Sequence, residues 1–242
     1  MVFLMTKRTG GMYYPKTNYK TSRHCVAYLD LLGGKNIILN DNKSEHLNKI
    51  NMIFEDALRE SKMFAHDIFV KIFSDNILLA VPTDDDNRKQ NIEKIIVLVR
   101  NIVQEMADYE YLIRGALTEG DFFHNDIIVY GKALVEAVEM EEEYAIYPRV
   151  IVKKEIYELF PQYFYECADG WHSVNHYISG FAFDSFKTPL LQQLTNNKDN
   201  IKVRQKIISA ITDFNFINDI SRKAGYIDCQ IITRKEIENA VK

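Results

Sequence analysis

Apolar positions along the 242-residue chain fall into short runs and helix-spaced stripes separated by polar breaks. Residues 1–21 are polar, with glycines and several tyrosines, and read as an N-terminal arm. Cys25 to Leu32 reads CVAYLDLL, a short apolar run suited to a buried strand. Gly33-Gly34 breaks it. Over 44–62, Leu47, Ile50, Phe54, Ala57 and Leu58 recur at helical spacing, with Ser44 as the N-cap. The stretch IFVKIFSDNILLAVP then sets two β-rich runs around Ser74-Asp75-Asn76, which predicts a hairpin with a tight turn. Pro82 and Asp84-Asp85-Asp86 end it. The next helix buries Ile92, Ile95, Ile96, Val99, Ile102, Val103 and Met106.

YLIRGALTEGDFF and DIIVYG give two more strands joined near Asn125, and KALVEAVEMEEEYA gives a helix over 132–145. RVIV reads as a short strand and KKEIYELF as a helix. Residues 162–186 are rich in aromatics, and HYISGFAF within them is expected to be a strand. One long helix suits 198–224, and a last one the tail 231–242. The order up to residue 152 is β-α-β-β-α-β-β-α-β. That is an α+β pattern: an antiparallel or mixed sheet with helices packed on one face, the ferredoxin-like or palm layout. The first strand then lies beside the hairpin. The expected organisation is the arm 1–21, a core domain over 22–185, and a C-terminal helical extension over 186–242 packed on the same domain.

Composition narrows the setting. A formal net charge of −4 supplies no global basic field, so neither nucleic acid nor membrane is expected as a partner. Three cysteines without a CxxC pair indicate neither a zinc site nor a disulfide framework. A cytoplasmic, reducing setting fits. No apolar run approaches the roughly 18–20 residues that span a bilayer, and the start MVFLMTKRTGGMYY has too short an apolar stretch for a signal peptide. Cys25 and Cys167 read as buried small hydrophobes. His172 and His176 are four apart outside any expected helix, so a metal role is not assigned to them. Glu139–Glu143 reads as a solvated helix face. Gly115, Gly120 and Gly131 form no P-loop pattern and suit turns and strand bulges.

Two carboxylates change the picture. Asp30 sits inside an apolar run, where a charge needs a partner. Asp75 sits at the tip of a hairpin between apolar strands. Taken alone, Asp30 could cap a turn and Asp75 could be an ordinary turn residue. If the first strand pairs with the hairpin, the two carboxylates meet, and their repulsion raises a pKa unless divalent cations intervene. Magnesium or manganese, with oxygen ligands and substrate phosphates, fits such a pair better than an acid/base dyad does. The backbone carbonyl of Leu31 could add a ligand. Two metals placed so would activate a ribose hydroxyl and neutralise phosphate charge.

These segments carry a resemblance. VKIFSDNILLAV resembles the hairpin of class III nucleotidyl cyclases, YLDLLGG their first metal-binding strand, and VYGKALVEAVEMEEEYA their later helix. The set YLDLLGG, FSDN, IRGALTEGDFFH, GKALVEAVEME and YPRVIV is similar to the pyrimidine cyclases of bacterial Pycsar anti-phage systems, over about residues 24–152. The resemblance implies a class III cyclase core and a homodimer with active sites at the interface. It implies UTP or CTP as substrate, 3′,5′-cyclic UMP or CMP and pyrophosphate as products, and two Mn2+ or Mg2+ ions per site. It also implies an effector protein activated by the cyclic nucleotide, reached through the messenger. UTP is preferred on the same ground.

Carried over, Asp30 and Asp75 match the metal-binding aspartates, Leu31 the backbone ligand, and Lys71 the base-reading lysine of the hairpin. Lys71 alternates with Ile72, so an exposed strand lysine is its ordinary explanation. Purine cyclases place an Asn and an Arg on the later helix where this chain has Val135 and Glu139. Another cation must then face the triphosphate. Arg114 is the first candidate, since its planar fork of donors suits phosphate; a solvated arginine on a strand's polar face is the alternative. Lys35 and Arg149 are weaker candidates, and an ion pair with Glu141–Glu143 is the ordinary role for Arg149. Competing readings are a degenerate cyclase that senses nucleotide without turnover, and a palm enzyme making dinucleotides or polymers. The last is disfavoured by FSDN in place of GG(D/E)EF and by the lack of a basic balance.

Overall fold

The computed structural model describes residues 19–62, 67–177, 186–225 and 230–242. They form β1 (Ser22–Leu31), α1 (Gly34–Asn40), α2 (Glu45–Lys62), β2 (Phe69–Phe73), β3 (Asn76–Pro82), α3 (Arg88–Asp108), β4 (Ile113–His124) and β5 (Val129–Tyr130). There follow α4 (Lys132–Glu143), β6 (Val150–Val152), α5 (Lys154–Tyr157), a 3-10 turn at Pro161–Tyr163, β7 (Phe164–Glu166) and β8 (His172–Val174). The chain ends with α6 (Lys187–Asn196), α7 (Ile201–Lys223) and α8 (Arg234–Ala240). The strands make one mixed sheet in the order β2-β3-β1-β4-β6-β8-β7, with β5 paired to β4. As expected, β1 lies beside the hairpin; it pairs antiparallel with β3 on one side and β4 on the other.

The sheet is covered on both faces, not on one. Cys25, Ala27, Leu29 and Leu31 point to one side, where Ile53 and Phe54 of α2 and the whole expected stripe of α3 cluster with them. Each leucine, isoleucine or phenylalanine side chain so removed from water contributes roughly 1.5–3 kcal/mol. Val26, Leu78 and Ala80 point to the other side and pack with Phe122 and with Ala133 of α4. The reason lies in connectivity. β4 and β6 are parallel neighbours, so the chain must cross over the sheet between them, and α4 lies in that crossover. The hydroxyl of Thr118 pins α4 down by donating to the Ala133 carbonyl at 2.7 Å. On the C-terminal side, Ala107 and Leu112 share a cluster with Leu190, Ile207, Ala210 and Phe214 of α6 and α7.

Several local expectations shift. α1 and α6 were not expected. α1 begins where the glycine pair suggested only a break, because Gly33 takes φ 80° and turns the chain into a helix. The first turn of α2 is capped by Asp41, whose carboxylate accepts from the His46 and Leu47 amides at 3.2 and 3.0 Å; Ser44, at φ 58°, is not the side-chain cap. Leu47 is 62% exposed, so the buried stripe of α2 starts later, with Ile50, Ile53 and Phe54. The side chains of Ala57 and Leu58 lie outside the described ones. The hairpin closes through Ser74-Asp75, with Phe73 paired to Asn76 and Ser74 at φ 58°. KKEIYELF holds only the one-turn α5. Of HYISGFAF, His176 and Tyr177 are not in a strand, and the rest lies outside the described residues, as do 1–18 of the arm.

Candidate active site

At the C-terminal end of β1, Asp30 is the register partner of Asn76 on β3 and of Arg114 on β4. Residues opposite one another in a ladder project to the same face, so Asp30, Asn76 and Arg114 form one row across the sheet. The guanidinium of Arg114 grips Oδ2 of Asp30 through Nε and Nη2, each at 2.8 Å. Asp30 still has its pKa raised. Burial is the largest cause, the nearby Asp75 adds to it, and Arg114 opposes it. One row along, Tyr28 donates to Oδ1 of Asn76 at 2.5 Å. Burial and the surrounding carboxylates Glu141, Asp30, Asp75 and Glu142 push its phenol up to about 12, so it serves as a donor, not an anion.

Asp75 is brought to the strand end by the backbone. The Leu31 amide donates to the Asp75 carbonyl at 3.0 Å, so the two aspartates are fastened through Leu31, the residue that follows Asp30. Gly34 makes room: a Cβ there would stand 2.3 Å from Asp75 Cβ and 2.6 Å from Oδ2. The glycine pair thus has two separate jobs, Gly33 for the turn and Gly34 for close approach of the carboxylate.

The other face of the site is supplied by α4. Glu141 is 3% exposed, and its Oε1 lies 2.8 Å from Nε of Arg114, an ion-pair contact that lacks hydrogen-bond geometry. Burial raises its carboxyl to about 7, against the pull of Arg114. The expectation of a wholly solvated acidic run therefore fails at one position: Glu142 and Glu143 are exposed, Glu141 is not. The signal was present in the spacing. Ala133, Ala137, Met140 and Glu141 are the buried positions of α4, and they follow i, i+4, i+7, i+8. Lys206 on α7 completes the charges. It interacts electrostatically with Asp30, Glu141 and Arg114, and burial lowers its pKa.

The remaining expected residues are placed as follows. Lys71 is exposed on β2 opposite Leu78, which is opposite Tyr28, so it shares the face of Asp30 one row away. Lys35 is exposed on the first turn of α1, next to Gly34. Arg149 differs from its expected pairing. Its buried guanidinium closes on Asp169 and on the Tyr144 carbonyl, at 2.8 Å for the latter, and not on the acidic run 141–143. Arg114 has taken Glu141 instead. Val135 is 58% exposed and Glu139 is also exposed, so the two late-helix positions face outward. His172 stacks on Tyr157 at 3.6 Å, and His176 is buried, its pKa lowered to about 4 by desolvation. Both fit aromatic packing. Cys25 and Cys167 are buried free thiols, as expected, the latter pushed up to about 11.

Among the described residues no three His, Cys, Asp or Glu side chains gather as a metal-binding group. The oxygen donors expected for a divalent ion are Asp30, Asp75 and the Leu31 carbonyl. Their chemistry fits: all are hard oxygen donors of the kind magnesium and manganese take. Arg114 is the cation that balances Asp30 in this arrangement.

No protein-family model matches the sequence. No curated protein matches it significantly either. Solved structures do. The monomeric guanylyl cyclase domain of the RhoGC fusion protein from the aquatic fungus Blastocladiella emersonii superposes with a TM-score of 0.53 at 14% identity, covering 65% of this chain and 96% of that domain. A dimeric form of the same fungal domain gives 0.50 at 14% identity, covering 65% and 98%. Likeness at that identity is a likeness of fold: the chain has the α+β palm fold of class III nucleotidyl cyclase domains, extended by C-terminal helices.

Proposed function

We propose that this chain is a metal-dependent nucleotide cyclase acting on a pyrimidine nucleoside triphosphate, UTP in preference to CTP, and releasing pyrophosphate with 3′,5′-cyclic UMP or CMP. The observation that carries the reading is the fastening of the Asp75 turn to the Asp30 strand end through the Leu31 amide, at 3.0 Å. That arrangement occurs on a fold shared with guanylyl cyclase domains. In the reaction the ribose O3′ attacks the α-phosphorus as the bond to the pyrophosphate oxygen breaks, a step that asks mainly for in-line positioning and charge stabilisation.

Asp30, Asp75 and the Leu31 carbonyl would hold two manganese or magnesium ions. When bound, such ions lower the pKa of the attacking hydroxyl and neutralise phosphate charge. Arg114 is the protein's own cation at the reacting centre, standing in for the absent late-helix Asn and Arg. Lys71, on the same face, is proposed to read the base, with Lys35 as a lesser substrate contact; Arg149, expected as another, is buried on Asp169 and has no guanidinium to offer a substrate. A homodimer is supported by the uncovered surface around the hairpin, where Phe73 is 45% exposed beside Lys71. The product would act as a messenger on an effector in anti-phage defence.

Purified protein incubated with each of the four triphosphates and manganese, with products resolved by mass spectrometry, tests this. A cyclic pyrimidine monophosphate is expected. No product from any triphosphate, with the fold intact, overturns it. A second reading, a nucleotide sensor without turnover, is favoured by the guanidinium already on Asp30 and by the outward Val135 and Glu139. Nucleotide affinity indifferent to EDTA would support the sensor.

A further inference from the structure

Next to the aspartates lies a cleft of about 570 Å3, walled on one side by the β1–α1 turn at Gly33 and Asn36 and on the other by the start of α7. Lys49, Lys202 and Lys206 line it against a single carboxylate, Glu110. Lys202 and Lys206 are four apart on α7 and so project to one side of that helix. The helix itself presents its positive end: Asn200 Oδ1 caps it by accepting from the Val203 amide at 3.2 Å, and no acidic residue occupies its first turn. Lys206 stands at the junction. It lines the cleft and is near enough to Asp30, Glu141 and Arg114 to interact with their charges.

We propose that this cleft is a polyphosphate subsite, in which Lys202 and Lys206 of the C-terminal helix hold the terminal phosphates of a nucleotide whose α-phosphate lies at the aspartates. The inference rests on the cyclase reading and deepens it by assigning a binding task to the C-terminal extension. Position argues for it. The cleft opens at the turn directly after Asp30-Leu31, and its lining has the sign that a chain of phosphates needs. The alternative is that Lys206 merely balances Asp30 and Glu141. A counterion of that kind would alter folding stability, yet it would give the cleft no affinity for free polyphosphate.

Calorimetry of the full chain with inorganic tripolyphosphate separates the two. The wild type is expected to bind, and the double variant K202A/K206A to bind at least about tenfold more weakly, the size of one lost charge-assisted contact. K202R/K206R should restore binding to within about threefold. K202A alone, a change at an exposed residue, provides a folded comparison and should weaken binding by about threefold or more. In turnover, KM for the triphosphate should rise in K202A/K206A far more than kcat falls. Equal tripolyphosphate affinity in wild type and K202A overturns the subsite. A chain that binds tripolyphosphate through these lysines but makes no cyclic product keeps the subsite and sinks the cyclase reading; a chain that cyclises with KM unchanged in K202A/K206A does the reverse.

Discussion

Arg114 holds Asp30 directly across the β1–β4 ladder: the two are register partners, and Nε and Nη2 of the arginine stand 2.8 Å from one carboxylate oxygen. Buried pairs of this kind are costly to break because the survivor is left charged and desolvated. Here the survivor would be two carboxylates, Asp30 and Glu141, since both lean on one guanidinium.

Replacement of Arg114 by methionine should therefore destabilise the fold by about 2–3 kcal/mol at pH 8. The loss should shrink toward pH 5, where carboxyls whose pKa values lie above the ordinary range take up protons. Urea denaturation midpoints at the two pH values check this. Equal losses would show that Arg114 acts by packing alone. Turnover should be lost at every pH.

Asp75→Ala should abolish turnover at little cost in stability. The link to β1 runs through the Asp75 carbonyl, which the variant keeps, and the change removes an anion that raises the pKa of Asp30. A melting midpoint within about 2 °C of wild type is expected, no more than about 1 kcal/mol produces in a chain of this size. A fully active variant would show that the aspartate pair is not the metal site.

Gly34→Ala should be more damaging than an ordinary helix substitution. The new methyl would meet Asp75 Cβ at 2.3 Å, so either α1 or the hairpin tip must move. A shift near 1 Å at a positioning residue costs on the order of a hundredfold in rate. Product formation and manganese affinity should fall together, while thermal stability drops by roughly 1–3 kcal/mol.

Glu141→Gln should raise stability in a pH-dependent way. Burial lifts the folded carboxyl from the ordinary glutamate range to about 7. A raised folded pKa means that the folded state holds the proton more tightly, so stability is full below the unfolded pKa and is lost as pH rises to the folded one. The neutral glutamine escapes that loss. The variant should match wild type near pH 4 and exceed it by about 1–2 kcal/mol at pH 8. A constant difference across this range would place the effect in packing.

Much of the fold was legible because its elements bury contiguous stripes. The α3 stripe read from periodicity is buried throughout, and the β1 run and the hairpin fell where alternation and turn residues put them. The misses are short or unpatterned. α1 starts at a glycine pair whose left-handed Gly33 no periodicity announces, and the cap of α2 comes from Asp41 because loop geometry, not adjacency, decides which carboxylate reaches the amides.

Sequence by itself offered the candidates for the site: an aspartate closing an apolar strand and another at a hairpin tip. Each of the two stands out among its own few neighbours, whereas Arg114 looks like any strand arginine and was singled out only by the cation that the resemblance leaves missing. Tertiary structure alone decided the pairing. Register made Asp30 and Arg114 partners rather than strangers 84 positions apart, the crossover laid Glu141 over them, and the packing of α7 brought Lys206 to the same charges. The physical reason is that Coulombic and hydrogen-bonding partners depend on distance in space. A chain fixes that distance only once its sheet order and helix docking are set.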